Sequence, residues 1–162
     1  MKGEMMMNLE KYGIIQGREK PYEEALYSIA LIYNICNNDI SKFLKDYGLT
    51  IGKLNVLVAI RTHSGPEGIS QVDVSKHLIV TPANMTKLID KLEKEKLVTR
   101  SPLEGDRRVN MLKVTKRAEE LLDGLWPKYN EKMKQMMGKL SISDQKEIAS
   151  KLIKWLGVLL DN

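Results

Sequence analysis

The chain has a single cysteine, Cys36, among its 162 residues. An intrachain disulfide is therefore impossible, and a reducing cytoplasm is the expected setting. No apolar run is long enough to cross a bilayer, and residues 1–8 include an acid but no apolar stretch of signal-peptide length. We therefore expect a soluble, cytoplasmic protein with no membrane partner and no secretory leader.

Sequence motifs of catalysis and of metal binding are also missing. There is no Gly-rich phosphate loop, no Ser/His/Asp arrangement in a recognisable context and no paired His-Glu metal motif. The two histidines, His63 and His77, lack metal-ligand spacing, so we expect no zinc site. These absences argue against an enzyme and predict no cofactor and no metal.

The net charge of +5 is concentrated in one segment of the chain. Residues 1–67 hold 8 Lys/Arg against 8 Asp/Glu, and residues 119–162 hold 7 against 7. Residues 68–118 hold 11 against 6, which is the whole excess. A neutral scaffold around one basic segment points to a polyanion-binding face, although lysines that merely solvate surface helices would give the same count.

The two ends of the sequence have the heptad spacing of long amphipathic helices. Apolar residues recur in steps of four and three from Pro21 to Tyr47, and again from Ile148 to Leu159. A helix this apolar needs more cover than one small domain easily gives, which favours a homodimer over packing within one chain. The predicted dimerisation residues are Tyr22, Leu26, Ile29, Tyr33, Ile40, Leu152, Trp155, Leu156 and Leu159.

Between these ends the sequence predicts a helix-turn-helix. A helix opens near Thr50, and a second begins after Ser70, whose hydroxyl can cap it with Asp73 in the first turn. Thr81-Pro82 then supplies a cap and a first-turn proline for a third helix, which runs to about Lys96. One face of this helix is apolar and must be core, through Met85, Leu88, Ile89 and Leu92. The opposite face carries small polar residues and lysines.

A short hairpin follows the third helix. Residues 96–100 and 109–114 are predicted strands, with the tip at Leu103 to Asp106. Thr115 is suited to cap another helix, which Pro127 should bend or break near Asp123 or Gly124. Ser141 or Ser143 should cap the last helix.

The fold class expected is therefore mainly α with a small β-hairpin wing (α+β). It comprises a flexible N-terminus (1–19), an N-terminal dimerisation helix (20–48), a winged helix-turn-helix (49–115) and C-terminal dimerisation helices (116–162). A winged helix-turn-helix lays one helix in the major groove of DNA and a loop beside it.

This organisation resembles the MarR family of transcriptional regulators over roughly residues 20 to 160. The resemblance rests on Leu49-Thr50, on Ile69-Ser70, on the run from Leu78 to Glu93, on Leu97-Val98-x-Arg100 and on Asp106-Arg107-Arg108. It implies a homodimer with interlocked terminal helices that binds a near-palindromic duplex, usually as a repressor, and is released by a small-molecule effector. It also implies that Asp106 pairs with Arg107 or Arg108 so that an Arg reaches the minor groove, whose negative potential favours a guanidinium.

The residues expected to bind DNA divide by role. Asn pairs with adenine, Lys with guanine, and an Ala or Thr methyl touches the thymine methyl, whereas phosphate contacts only position the protein. For base readout we expect Thr81, Ala83, Asn84, Thr86 and Lys87, and for phosphates Ser70, Lys91 and Lys94. Two alternatives compete with base contacts, because Thr81 could act purely as a cap and Asn84 could face the neighbouring helix.

Two departures from the family pattern and two rival functions remain open. Lys87 stands where many relatives carry Arg, and a lysine cannot form the bidentate hydrogen bonds of a guanidinium. Ala118 stands where a Gly often follows the wing. One rival is a redox-sensing regulator, but Cys36 lies mid-helix on the apolar seam with no nearby Arg or His in sequence, which favours a small hydrophobic role. The other is a winged-helix protein-interaction module that binds no DNA.

Overall fold

The computed structural model describes residues 10–14, 20–78, 82–103 and 105–161, without the side chains of residues 11, 82, 107 and 108. The chain divides into two compact units, Met1–Ile51 and Gly52–Asn162. Within the described ranges, no helix is both long enough and apolar enough to cross a membrane.

The described residues form six α-helices and a small antiparallel sheet, which confirms the predicted fold class. A 3-10 turn at Glu10–Tyr12 precedes them. The helices are α1 (Pro21–Lys45), α2 (Ile51–His63), α3 (Gln71–Lys76), α4 (Pro82–Lys94), α5 (Lys116–Met137) and α6 (Ile142–Leu160), and the strands are β1 (Ile69–Ser70), β2 (Val98–Leu103) and β3 (Asp106–Val114).

The sheet has the order β1-β3-β2, with every pair antiparallel. Strands β2 and β3 form the predicted hairpin, which extends closer to its tip than expected. The predicted start of the first strand was wrong: Lys96 has a left-handed φ of 58° and ends α4, and the strand begins at Val98. At that helix end, the Leu97 N–H donates to the Leu92 carbonyl at 2.8 Å, the pattern of a left-handed helix cap.

Strand β1 was not predicted, and it ties the wing to the helix-turn-helix. Ile69 pairs with Leu112 and Ser70 with Met111 on β3. Gly68, just before it, has a φ of +101°, and a Cβ there would lie 2.7 Å from the Leu112 carbonyl oxygen. Only glycine fits this approach, because the conformation disfavours L side chains and the space is filled by backbone.

The second unit has a continuous apolar core. Each fully buried Leu, Ile or Met stabilises the fold by about 1.5–3 kcal/mol relative to an exposed one. The core residues come from every helix of the unit except α6, and from the segment 97–112: Leu54, Val56, Leu57, Ile60, Val74, Met85, Ile89, Leu92, Leu97, Val98, Leu112, Ala118, Leu122 and Leu125.

Helix α5 runs without a break through Pro127, so the break, one of the two predicted outcomes near Asp123 or Gly124, does not occur. A proline inside a helix removes one hydrogen bond and costs about 3 kcal/mol. Leu122 and Leu125, fully buried just before it, supply packing that offsets this cost. Thr115 caps the helix as predicted, accepting from the Ala118 N–H at 3.2 Å.

Helices α1 and α6 expose large apolar side chains. Every residue of α6 is at least partly exposed, although a full capping box between Ser141 and Asp144 defines its start. Eight of the nine predicted dimerisation residues are exposed and Ile40 is half-buried. The exposed ones are Tyr22, Leu26, Ile29, Tyr33, Leu152, Trp155, Leu156 and Leu159.

Candidate nucleic-acid interface

Helix α4 has one buried face and one exposed face, as its sequence periodicity predicted. Met85, Ile89 and Leu92 are fully buried, and Leu88 is half-buried. The residues predicted to meet DNA on this helix are all exposed: Ala83, Asn84, Thr86, Lys87, Lys91 and Lys94. The buried face fixes the rotation of the helix, so the cationic face must point outward.

The acidic residues in and just after α4 pair with cations of the same chain. Arg100 on β2 places Nη2 at 2.6 Å from an Asp90 carboxylate oxygen and at 3.4 Å from one of Glu93. Lys53 on α2 lies 2.6 Å from Glu95, just beyond the helix. Lys87, Lys91 and Lys94 form no ion pair with any residue that the structure describes. The exposed face is therefore positive in spite of the nearby carboxylates.

The C-terminal end of α4 is also tied to the base of the wing. The Thr115 hydroxyl donates to the Lys96 carbonyl at 2.8 Å, and Arg117 donates to the Glu95 carbonyl at 3.3 Å. These bonds join the end of α4 to the start of α5. A helix held at its C-terminal end by neighbouring elements presents its N-terminal turns at a fixed angle.

Helix α3 begins with the predicted Ser70 cap. The Ser70 hydroxyl accepts from the Asp73 N–H at 3.0 Å and donates to its carboxylate at 2.7 Å. The Lys76 ammonium, and after it the Ser70 hydroxyl, hydrogen-bond to that carboxylate and hold the pKa of Asp73 below its usual value. A phosphate contact by Ser70, as the sequence predicted, would have to compete with this cap.

A side-chain hydrogen bond links α3 directly to α4. The Gln71 amide donates to the Thr86 hydroxyl at 2.9 Å. Sequence reasoning missed Gln71, because nothing in the spacing of α3 shows which of its polar side chains reaches α4.

The wing is the β2–β3 hairpin, whose turn holds Gly105 at a φ of +87°. Asp106 is exposed at the start of β3, and the backbones of Arg107 and Arg108 continue that strand. Their side chains, like the whole of Thr81, lie outside the described part of the structure. The pairing of Asp106 with an arginine therefore stays a prediction.

The arrangement of a turn, a cationic helix and a hairpin agrees with a family match. Residues 49–109 match the MarR family. These residues form a MarR-family domain. The predicted family is confirmed for this domain, and the named relatives that the chain resembles are transcriptional regulators rather than enzymes.

Similarity extends to the helices on either side of the MarR-family domain. The chain is 25% identical over 126 residues to the HTH-type transcriptional regulator MhqR of Bacillus subtilis, an alignment that covers 78% of this chain and 84% of MhqR. A mutant MarR from E. coli complexed with operator DNA has the same fold, with a TM-score of 0.76 at 19% identity, covering 85% of this chain and 96% of that one. BpsR of Bordetella bronchiseptica, whose DNA binding is regulated by 6-hydroxynicotinic acid, gives 0.73 at 23% identity, covering 82% and 98%.

A cavity of about 580 Å³ lies between α2 of the MarR-family domain and α5. Val58, Trp126 and Pro127 line it, with Trp126 42% exposed. On its polar side, Arg61 is held by Glu119 at 3.0 Å and by Asp123 at 2.7 Å. A ligand that enters this cavity would contact the Trp126 ring and an arginine that is already paired with two carboxylates.

The two histidines lie together in a neighbouring cavity of about 300 Å³. The rings of His63 and His77 are stacked, with centroids 3.7 Å apart and planes 2° from parallel. Because 14 residues separate the two histidines in sequence, this contact between the end of α2 and the end of α3 was not predicted. The described residues contain no cluster of three or more His, Cys, Asp or Glu that could hold a metal ion.

Proposed function

We propose that the chain is a sequence-specific, double-stranded DNA-binding regulator of the cytoplasm that binds a near-palindromic operator as a homodimer, acts as a repressor and is released by a small molecule. The observation that carries the DNA-binding part is the exposed face of α4. Its lysines form no ion pair within the described structure, while Asp90 and Glu93 share Arg100 and Glu95 pairs with Lys53. Such a face attracts phosphate and leaves small polar groups for base edges.

Within this interface, the N-terminal turns of α4 enter the major groove. Asn84 and Lys87 then read adenine and guanine, and the methyl groups of Ala83 and Thr86 contact thymine methyls. Lys91 and Lys94, later in the helix, meet phosphates and fix the register of the protein. One of the wing arginines, Arg107 or Arg108, pairs with Asp106 and enters the adjoining minor groove.

The exposed apolar faces of α1 and α6 support the homodimer. Tyr33 is 65% exposed and Leu159 is 58% exposed, and monomeric proteins rarely leave such residues in contiguous patches. A twofold interface pairs each face with its own copy. The two α4 helices must then lie about 34 Å apart, one turn of B-DNA, to read one side of the duplex.

The α2–α5 cavity supports effector control. Its volume of about 580 Å³ lies in the range of roughly 300–1,000 Å³ that is usual for small-molecule sites. Because α2 shares its core with α4, and α5 continues from the wing, a ligand that wedges α2 and α5 apart would change the half-site spacing. The similarity to BpsR, whose DNA binding responds to a small molecule, agrees with this proposal.

Selection of bound sequences from a random duplex library tests the central proposal. A palindromic or near-palindromic consensus is expected, with affinity that falls steeply as salt is added because phosphate contacts release counterions. Recovery of no preferred duplex, even at low salt, would favour the protein-interaction module instead.

The double variant Arg107→Ala/Arg108→Ala tests the wing. It should bind the selected operator much more weakly while remaining dimeric, because a minor-groove guanidinium contributes affinity without supporting the fold. Unchanged operator affinity would remove the wing from the mechanism.

A further inference from the structure

The hydrogen bond between Gln71 and Thr86 joins the two helices of the helix-turn-helix through side chains alone. Gln71 is the first residue of α3 and is half-buried, whereas Thr86 is exposed on α4. The donor nitrogen and the hydroxyl oxygen are 2.9 Å apart, a normal length for such a bond. The bond therefore reaches from one helix to a predicted base-reading residue of the other.

A threonine in a helix has two accessible χ1 rotamers, and its methyl group occupies a different position in each. A hydrogen bond to the hydroxyl favours one rotamer by about two- to tenfold, the usual net effect of such a bond. Fixing the hydroxyl also fixes the methyl. Contact with a thymine methyl depends on the position of that group, so the rotamer of Thr86 becomes part of sequence readout.

We propose that Gln71 is a positioning residue for sequence readout: it holds Thr86 in one rotamer and thereby sets the base preference of α4. This role rests on the proposed DNA-binding function and adds to it a specificity residue that lies outside the recognition helix. Gln71 acts through Thr86 and does not itself read a base.

A direct contact between Gln71 and DNA is the competing explanation. Gln71 lines a groove of about 610 Å³ together with Val72 of α3 and with Val109 and Asn110 of the wing. Val72 is 67% exposed there, so a nucleic-acid strand could approach this side of α3. The hydrogen bond favours the indirect role, because it holds the amide nitrogen of Gln71 against the Thr86 hydroxyl.

A double-mutant cycle separates the two roles. Gln71→Met keeps the length of the side chain and removes the amide, and Thr86→Val keeps the shape and removes the hydroxyl. For each full-length variant, binding is measured to the selected operator and to operators with single base changes. We expect Gln71→Met to reduce discrimination by roughly three- to tenfold at the one base position that Thr86→Val also affects. In the Thr86→Val background, Gln71→Met should have no further effect.

Additive effects would overturn the proposal, because they would show that Gln71 contacts DNA independently. Unchanged discrimination by Gln71→Met would overturn it as well. If the wild-type chain selects no preferred duplex, the proposed function itself fails, which is a different result from selection that survives in Gln71→Met.

Two controls separate positioning from general destabilisation. Gln135→Ala removes an exposed glutamine on α5, away from α3 and α4, and should leave discrimination unchanged. Thermal unfolding of Gln71→Met should match wild type. If it does not, the more helix-favouring Gln71→Ala repeats the cycle, and a loss of affinity equal for all operators would identify a purely structural role and overturn the proposal.

Discussion

Helices α4 and α6 are both amphipathic, but they use their apolar faces in opposite ways. In α4, Met85, Ile89 and Leu92 are fully buried, and the polar face alone meets solvent. In α6, Leu156 is 52% exposed and Ile153 is 69% exposed. The apolar face of α4 is therefore covered within one chain, whereas the apolar face of α6 is open to solvent in the single chain.

The same contrast separates the two proposed roles, which are DNA binding by α4 and dimerisation through α6. A helix that must present side chains to base edges has to be held rigidly, and α4 is held by its core contacts and by Arg100, Thr115 and Arg117. A helix that packs against a second copy of the chain needs an apolar surface that is exposed in the single chain. Changes in α4 should therefore alter folding or binding within one chain, and changes in α6 should alter assembly.

The largest expected effect comes from breaking the apolar face of α6. Leu156→Glu/Leu159→Glu places two charges where a partner helix should pack, so the protein should become monomeric. Loss of the linked second half-site should weaken operator binding by about a hundredfold to ten-thousandfold. Light scattering measures the mass against twice 18.5 kDa, and helical circular dichroism should remain. Lys154→Glu, outside the predicted seam, is the control; a dimeric double variant would contradict the comparison.

The second prediction compares the same substitution, isoleucine to alanine, in both helices. Ile89→Ala in α4 should lower the free energy of unfolding by about 2–5 kcal/mol, because it opens a cavity in the core. Ile153→Ala in α6, tested in the monomeric double variant, should change it by less than about 0.5 kcal/mol. Urea denaturation measures the free energy of unfolding of both variants. Equal losses would mean that α6 is part of the core of the single chain.

The lysines offer a third comparison between the two helices. Lys91→Gln/Lys94→Gln should reduce the slope of log affinity against log salt by about 0.9 for each phosphate that is no longer bound, while base preference stays the same. Lys151→Gln/Lys154→Gln in α6 should leave the slope unchanged. An altered consensus in the α4 variant would instead assign these lysines to base readout.

The smallest effect concerns the Ser-Asp caps at the starts of α3 and α6. Lys76 and Ser70 hold the pKa of Asp73 below its usual value in the folded chain, so ionised Asp73 stabilises the fold at neutral pH. This contribution should disappear as the pH falls below about 4, the ordinary range of an aspartate, towards the lower folded value. Asp73→Asn should therefore be less stable than wild type at pH 7, and the difference should shrink in acid.

Unfolding curves at several pH values measure that difference, and Asp144→Asn supplies the matched change in the α6 cap. A difference between Asp73→Asn and wild type that grew in acid would contradict the assigned cause of the shift.

Much of α4 could be predicted because its residues follow one simple period. Apolar residues at 85, 88, 89 and 92 define a face, and the polar face follows from it. The caps at Ser70 and Thr115 were also predicted, and Ser141 was one of two candidates for the last helix, since each cap rests on a side chain that bonds three residues along the chain.

The features that sequence reasoning missed depend on where separate elements come together. Arg100 reaches Asp90 and Glu93 only because the hairpin folds back beside α4. Strand β1 is two residues long, too short to give an alternating pattern. Pro127 was expected to break α5 because local rules count the missing hydrogen bond and not the buried side chains beside it.

Two glycines, one just before β1 and one at the turn of the wing, differ in what surrounds them, although both have positive φ. A side chain at Gly68 would strike the Leu112 backbone at 2.7 Å, whereas one at Gly105 would meet nothing within 4 Å among the described atoms. Extra residues should therefore be accepted at the turn and rejected at Gly68. The length of the wing can therefore change at its turn, which is the end that the proposed interface directs towards DNA.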